Sequence, residues 1–377
     1  MNKKFVFINL SINSGYTSGE NHGIAHLIPI VRKHSYEPAF LNIRSEITCK
    51  EFRNKIDKIN PSIVGFSCTS HQFKYLVKYS KELAGRSGIL QIAGGPGPTL
   101  DPEGLLSKSA VKGVCIGEGE VPIDNLLNNI EGGRDIFNTE SFCWRTDGGI
   151  KKNSVQQFVH DLSTLDFPDY SLFSRDVVIN NGSLLITLSR GCPYDCYYCS
   201  NAALRSLYPS PKGYFRIPSV EHSIELLEGM IKQYPETKFI IFEDDLLIAN
   251  KAWFEGFATE YRKRINLPYS ADVRAEYITP DIIKALKNSG CERVLLGLES
   301  GNEDIRNNVL NRKHSNNLII EKSKMIKDAG FPLFTFNIVG LPFESGKQME
   351  DTFNLNLEIK PNHGVCTFFY PYKGTVL

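Results

Sequence analysis

Apolar residues in the first part of the chain come in short blocks, KFVFINL, LNIRSE, SIVGFSCTS, ILQIAGG and VKGVCIGEGE. Between them lie longer stretches with helical spacing: GIAHLIPIVRKH, HQFKYLVKYSKELAGRSG, PEGLLSKSA and PIDNLLNNI. Compact apolar blocks alternating with amphipathic helices predict a doubly wound, mainly parallel sheet over residues 1–140. Gly94 and Gly95, and the run Gly117, Glu118, Gly119, Glu120, then fall just beyond the C-terminal ends of strands, where open α/β sheets bind ligands.

The alternation breaks at ESFCWRTDGGIKKNS, where two strand-like pieces flank Asp147 and Gly148, a strong hairpin signal. DLSTLDFPDYSLFSRD has little periodicity and carries Pro168, so residues 141–182 are expected to be hairpin and linker. A second series follows from residue 183 to 377: SLLITLSR, KFIIFEDD, LPYSADVR, ERVLLGLESG, FPLFTFNIVGLP and GVCTFFYPY, separated by helical stretches such as VEHSIELLEGMIKQYP and PDIIKALKNSG. Six strands with intervening helices predict a partial (β/α)6 barrel, with its chemistry at the strand C-termini.

Composition narrows the partners rather than the fold. Lys plus Arg number 43 against 42 Asp plus Glu, a net charge of +1, so bulk electrostatics point to neither nucleic acid nor an anionic membrane. The apolar run near the N-terminus is too short for a secretory signal, which makes the cytoplasm the expected compartment. Nine unevenly spaced cysteines do not form a secreted disulfide pattern, and reduced thiols are expected.

Three of those cysteines occupy eight positions in SRGCPYDCYYCSNA. Cys192, Cys196 and Cys199 follow directly on the first strand of the second series, on a loop short enough to wrap one soft metal centre. A structural zinc site wants a fourth protein ligand, and none follows at the usual spacing. An iron–sulfur cluster held by three cysteines, a zinc site and buried free cysteines are the readings these residues leave open.

CPYDCYYC, with an aromatic before its last cysteine, resembles the CxxxCxΦC signature of the radical S-adenosylmethionine (SAM) enzymes. The resemblance implies that Cys192, Cys196 and Cys199 hold a [4Fe-4S] cluster whose open iron chelates SAM, and that reductive cleavage of SAM yields a 5'-deoxyadenosyl radical. It places the backbone of Tyr198 against adenine. FEDD resembles the family's contact to the SAM amine, which makes Glu243, Asp244 and Asp245 candidates. The stretch from Ser270 to Gly301 resembles the segment joining the third and fourth barrel strands, with Arg274 towards the SAM carboxylate and Glu299 towards the ribose. FNIVGLPFES resembles the strand whose backbone at Ile338 and Gly340 meets adenine.

The first series, with LDFPDYSLF after it, resembles the cobalamin-binding domain and linker that precede many radical SAM barrels. By that resemblance Ser67, Thr69, Gly94 and Gly95 line the pocket for the nucleotide tail of cobalamin, and Gly117, Glu118, Gly119 and Glu120 lie near the domain face. The Asp-x-His-x-x-Gly motif of histidine-ligated cobalamin proteins is absent; Glu20, Asn21, His22 and Gly23 have the wrong glycine spacing. FFYPYKGTVL resembles the last barrel strand and its turn, with Lys373 where proline is common and without the C-terminal extension that relatives carry.

The implied function is a cobalamin-dependent methyltransferase acting on an unactivated carbon or a phosphinate. The implied electron donor is a flavodoxin or ferredoxin, and the substrate a small molecule or natural product. A cyclase, oxidase or rearrangement enzyme of the same family, and a noncatalytic cluster- or cobalamin-binding scaffold, are the alternatives. No residue stands out as acting on the substrate itself.

Overall fold

The computed structural model describes residues 3–13 and 21–377. Glu20 and most of the polar loop after the first strand lie outside the described residues. Two compact units emerge from the packing, each with one seven-stranded sheet. The first comprises residues 1–159, 166–178 and 203–212; the second comprises 160–165, 179–202 and 213–377.

The first sheet is built from β1 (Lys4–Leu10), β2 (Glu37–Ile43), β3 (Ile63–Cys68), β4 (Leu90–Gly94), β5 (Gly113–Cys115), β6 (Phe142–Thr146) and β7 (Gly149–Lys152). Their order is β2-β1-β3-β4-β5-β6-β7, the first five parallel and the last two antiparallel. The Asp147–Gly148 hairpin thus extends the sheet. β1 and β3 are buried almost throughout because helices cover both faces, which is why they read as apolar runs rather than as alternation. Val6, Ile8, Val64, Phe66, Leu76 and Ala93 pack in one core with Phe52 and Ile56 of the helix Cys49–Ile59. That helix starts at a capping box, with Thr48 and Glu51 each satisfying the other's backbone N–H.

The linker stretch is irregular but packed. Tyr170 and Phe173 are buried, Phe173 stacks on Phe40, and the Tyr170 hydroxyl lies 2.6 Å from His22 Nδ1.

The second sheet runs β8 (Ile179–Asn180), β9 (Ser183–Ile186), β10 (Phe239–Phe242), β11 (Tyr269–Val273), β12 (Cys291–Glu299), β13 (Leu333–Val339) and β14 (His363–Phe368), in sequence order. The strands β9 to β14 are parallel, and the short β8 adds an antiparallel edge that sequence periodicity did not reveal. Sequential parallel strands joined through helices make the partial barrel expected, with strand C-termini and the βα loops on one rim. The helix Pro280–Ser289 shows how sharply these connections are punctuated. Thr279 caps it, Pro280 opens it, and Gly290 closes it at φ 93°. Among the described residues no helix is long and apolar enough to cross a membrane.

Candidate functional site

The cysteine loop leaves β9 under restraint. The buried carboxylate of Asp244, just past β10, accepts hydrogen bonds from Leu188 N at 3.1 Å and from the backbone and hydroxyl of Ser189. Burial raises the Asp244 carboxyl to about 6, against the opposing pull of those donors. Further along, Tyr197 N donates to Leu310 O at 3.1 Å, Cys199 N to Cys196 O at 3.1 Å, and Asn311 Nδ2 to Asp195 O at 2.9 Å.

Cys196 is buried and Cys192 and Cys199 are half-buried. Burial pushes the Cys192 thiol up to about 11, and Asp245, Cys199 and Cys196 add to the shift. Cys199 moves the same way, again mainly through burial. Among the described residues no three His, Cys, Asp or Glu side chains converge on a single-ion site. A cluster takes one thiolate per iron, so its ligands need not meet at a point. Three soft donors on one restrained loop, near enough to influence each other's charge, fit that requirement.

The FEDD acids separate by role. Glu243 is exposed, its backbone N bonded to Ile186 O at 2.9 Å. Asp244 is turned to the Leu188–Ser189 strap rather than to open space. Asp245 accepts from Asn201 and acts on the charge of Cys192 and Cys199. Asp272 on β11, unremarked in sequence, joins this group; burial, then Asp244, Asp245, Glu243 and Glu299, raise its carboxyl to about 8.

Glu299 ends β12 in the left-handed region at φ 66°, after a register shift between Gly297 and Glu299. A side chain in that conformation costs roughly 1–2 kcal/mol. It faces Arg312, whose Nη1 is 3.5 Å from Glu299 Oε1 and 3.4 Å from the Tyr198 hydroxyl, and whose Nη2 donates to Gly297 O at 2.7 Å. Burial opposes the Arg312 charge, but Tyr198 and Glu299 more than offset it.

Tyr198 and Ile338 pack against one small apolar cluster with Ile305, Leu310 and Leu341. Gly340 turns the chain at φ 73°, and its N–H donates to Glu344 Oε2 at 2.8 Å, as does Leu341 N at 3.1 Å. Arg274 donates from Nη1 to Cys196 Sγ at 3.3 Å and from Nη2 to Glu276 Oε1 at 2.8 Å. Arg312, Glu276 and His314 escaped the sequence reading because they sit on irregular segments without periodicity. The π-helical turn Ile305–Val309 just before Arg312 is the kind of local irregularity that marks functional sites.

In the first unit the strand order reverses at β1/β3, the switch point where doubly wound sheets bind ligands. Ser67 lies there, accepting from Asn21 Nδ2 at 3.0 Å, while Asn21 also donates to Asn9 and caps the helix His22–Lys33. Thr69 is exposed just past β3. Gly95 has φ 88°, and a Cβ there would lie 3.0 Å from Ser67 Oγ and 3.2 Å from Cys68 O. Gly117 to Glu120 form the next βα turn, where Glu118 N donates to the Tyr208 hydroxyl at 2.9 Å and Glu120 is buried at the start of its helix. A strand edge paved by backbone, with small residues and hydroxyls, thus lies at the switch point where doubly wound sheets bind ligands.

Residues 186–355 match the radical SAM superfamily profile, and residues 11–127 match the B12 binding domain profile. The uncharacterized methyltransferase PH0819 of Pyrococcus horikoshii is 24% identical over 368 residues, covering 96% of this chain and 78% of that protein. The anaerobic magnesium-protoporphyrin IX monomethyl ester cyclase of Rubrivivax gelatinosus is 23% identical over 351 residues, covering 87% of this chain and 60% of the cyclase. Among solved structures, the radical SAM methyltransferase TsrM of Kitasatospora setae, with cobalamin and a [4Fe-4S] cluster bound, superposes with a TM-score of 0.79 at 14% identity. That match covers 100% of this chain and 77% of TsrM. A second TsrM structure, with tryptophan substrate and a SAM analogue, gives 0.75 at 13% identity, covering 99% and 75%. At such identities the structural likeness speaks for the fold.

Proposed function

The chain belongs to the radical SAM superfamily and carries a B12-binding domain, and from that premise we propose that it is a cobalamin-dependent methyltransferase acting on a small molecule. In this reading Cys192, Cys196 and Cys199 hold a [4Fe-4S] cluster, and cobalamin lies at the C-terminal edge of the first sheet beside Ser67, Thr69, Gly94 and Gly95, with Gly117 to Glu120 near its face. Bound there, the two groups supply the one-electron and methyl-carrying chemistry that no side chain offers. The chain's own part is to hold them and to orient SAM. Tyr198 and Ile338 offer an apolar wall for adenine, Glu299 an acceptor for a ribose diol, and Glu243 and Asp245 negative charge for an ammonium group, with the protonated Asp272 beside them. An electron donor of the flavodoxin or ferredoxin type and a cytoplasmic setting complete the reading.

The observation that carries it is the cysteine loop itself: three thiols after the first barrel strand, restrained at one end by Asp244 and at the other by Leu310. Anaerobic addition of iron, sulfide and hydroxocobalamin, followed by absorbance and metal analysis, tests both cofactors together. Incubation of the loaded, reduced protein with methyl-labelled SAM then tests transfer. Label on the protein-bound cobalamin is expected. Formation of 5'-deoxyadenosine with no label on cobalamin would favour the cyclase-type reading, which the likeness to the Rubrivivax enzyme keeps as a second possibility.

A further inference from the structure

Arg274, just past β11, is almost fully buried, and its contacts lead to the cysteine loop. Its guanidinium carbon lies 3.5 Å from the centre of the Tyr194 ring, so the cation stacks on the residue midway between Cys192 and Cys196. One terminal nitrogen donates to Cys196 Sγ at 3.3 Å and the other to Glu276 Oε1 at 2.8 Å. Behind Glu276 stands His314, its Nδ1 3.5 Å from the same carboxylate oxygen, also buried. Tyr277 packs edge-on to Tyr194. A second cation, Arg312, is near enough for its charge to act on Arg274, and it pairs with Glu299 instead.

We propose that Arg274 is a positioning residue for the cluster that sets how readily it accepts an electron, with Glu276 as the counter-charge that limits the effect. The physical basis is general. An N–H···S hydrogen bond and a nearby positive charge stabilise the more negative, reduced state of an iron–sulfur centre, so both raise its potential, whereas a carboxylate lowers it. Low exposure strengthens each effect, because little water screens the guanidinium at 3.3 Å from sulfur. Stacking on Tyr194 holds the guanidinium plane and the loop together, so one side chain couples loop geometry to charge. The inference rests on the cluster reading and adds to it a residue that acts on the iron site through sulfur.

Opposite signs distinguish tuning from scaffolding. The full chain carrying Arg274→Gln, Arg274→Lys or Glu276→Gln is loaded anaerobically with iron and sulfide. Iron content is measured, and the cluster is titrated with titanium(III) citrate, a one-electron reductant, while its reduced-state electron paramagnetic resonance signal is followed. In Arg274→Gln the ratio of reduced to oxidised cluster at fixed potential near the midpoint is expected to fall about tenfold, a shift of about 59 mV to more negative potential. Glu276→Gln is expected to shift the midpoint the other way, and Arg274→Lys to stay between the parent and Arg274→Gln. If Arg274→Gln loses its cluster, the positive shift of Glu276→Gln still decides. Unmoved midpoints, or a common direction in Arg274→Gln and Glu276→Gln with iron retained, overturn the proposal. A parent protein that takes up no iron overturns the cluster reading and this inference with it.

Discussion

The two units carry their candidate sites in different materials. On the barrel rim the site is made of side chains with distinctive chemistry, three thiols, two buried arginines and several carboxylates, held by hydrogen bonds and ion pairs with one another and with the loop backbone. At the edge of the first sheet it is made of backbone, hydroxyls and glycines, and what defines it is the close approach of chain segments that side chains would block. A site of the first kind depends on particular atoms, whereas one of the second kind depends on shape. Substitutions therefore act on them in different ways.

The sharpest separation comes from Cys192→Ala, Cys196→Ala and Cys199→Ala. Each is expected to abolish the iron absorbance of the reconstituted protein while hydroxocobalamin still binds, and Cys49→Ala, on the first unit, is expected to leave both cofactors in place. Retention of iron in all three variants would break the comparison. At the other site, Gly97→Ala tests shape. A Cβ at Gly97 would sit 2.6 Å from the Thr69 carbonyl carbon, so the short helix Pro96–Leu100 after β4 must move off the segment that follows β3. Such overpacking costs about 1–3 kcal/mol, and equilibrium dialysis is expected to show cobalamin affinity falling about tenfold or more with iron uptake unchanged.

A smaller effect probes the carboxylates of the rim. Asp272 keeps its proton up to about 8 in the folded protein, whereas an unfolded aspartic acid titrates near about 3.9. Between those values the folded state binds more protons than the unfolded one, so the cofactor-free protein is expected to lose stability as pH rises from about 4 to about 8. Asp244, raised to about 6, adds to the loss at the acidic end of that window. Asp272→Asn is expected to flatten the profile and to raise stability at pH 8 by a few kcal/mol, read as a higher urea midpoint. A pH profile identical to that of the parent would show that burial and the neighbouring carboxylates do not hold a proton on Asp272.

Most of the architecture was legible in the chain. The first sheet follows from apolar runs such as β1 and β3 that are buried almost throughout, the second from apolar blocks recurring between helical stretches, and the hairpin from Asp147–Gly148. The short strand β8, two residues long, was not, because so brief a pairing leaves no periodic signal. At the site, the cysteines and Glu299 could be found because a local motif or a strand end announces them. Arg312, Glu276, His314 and Asp272 could not, since each acquires its meaning from a residue distant in sequence: Arg312 from Tyr198 and Glu299, His314 from Glu276, Asp272 from the other acids of the rim.

By itself, the sequence determined the two-part α/β architecture and the thiol loop, since periodicity, turn chemistry and a fixed ligand spacing are local properties. Only the tertiary structure decided what the charged residues do. It turned Asp244 to the strap before the cysteines and set Arg274 on Cys196 and Tyr194, and it left Asp272 among like charges. A charge in a partly dry interior is governed by the partners that folding brings within a few ångströms, and those partners come from strands scattered along the chain.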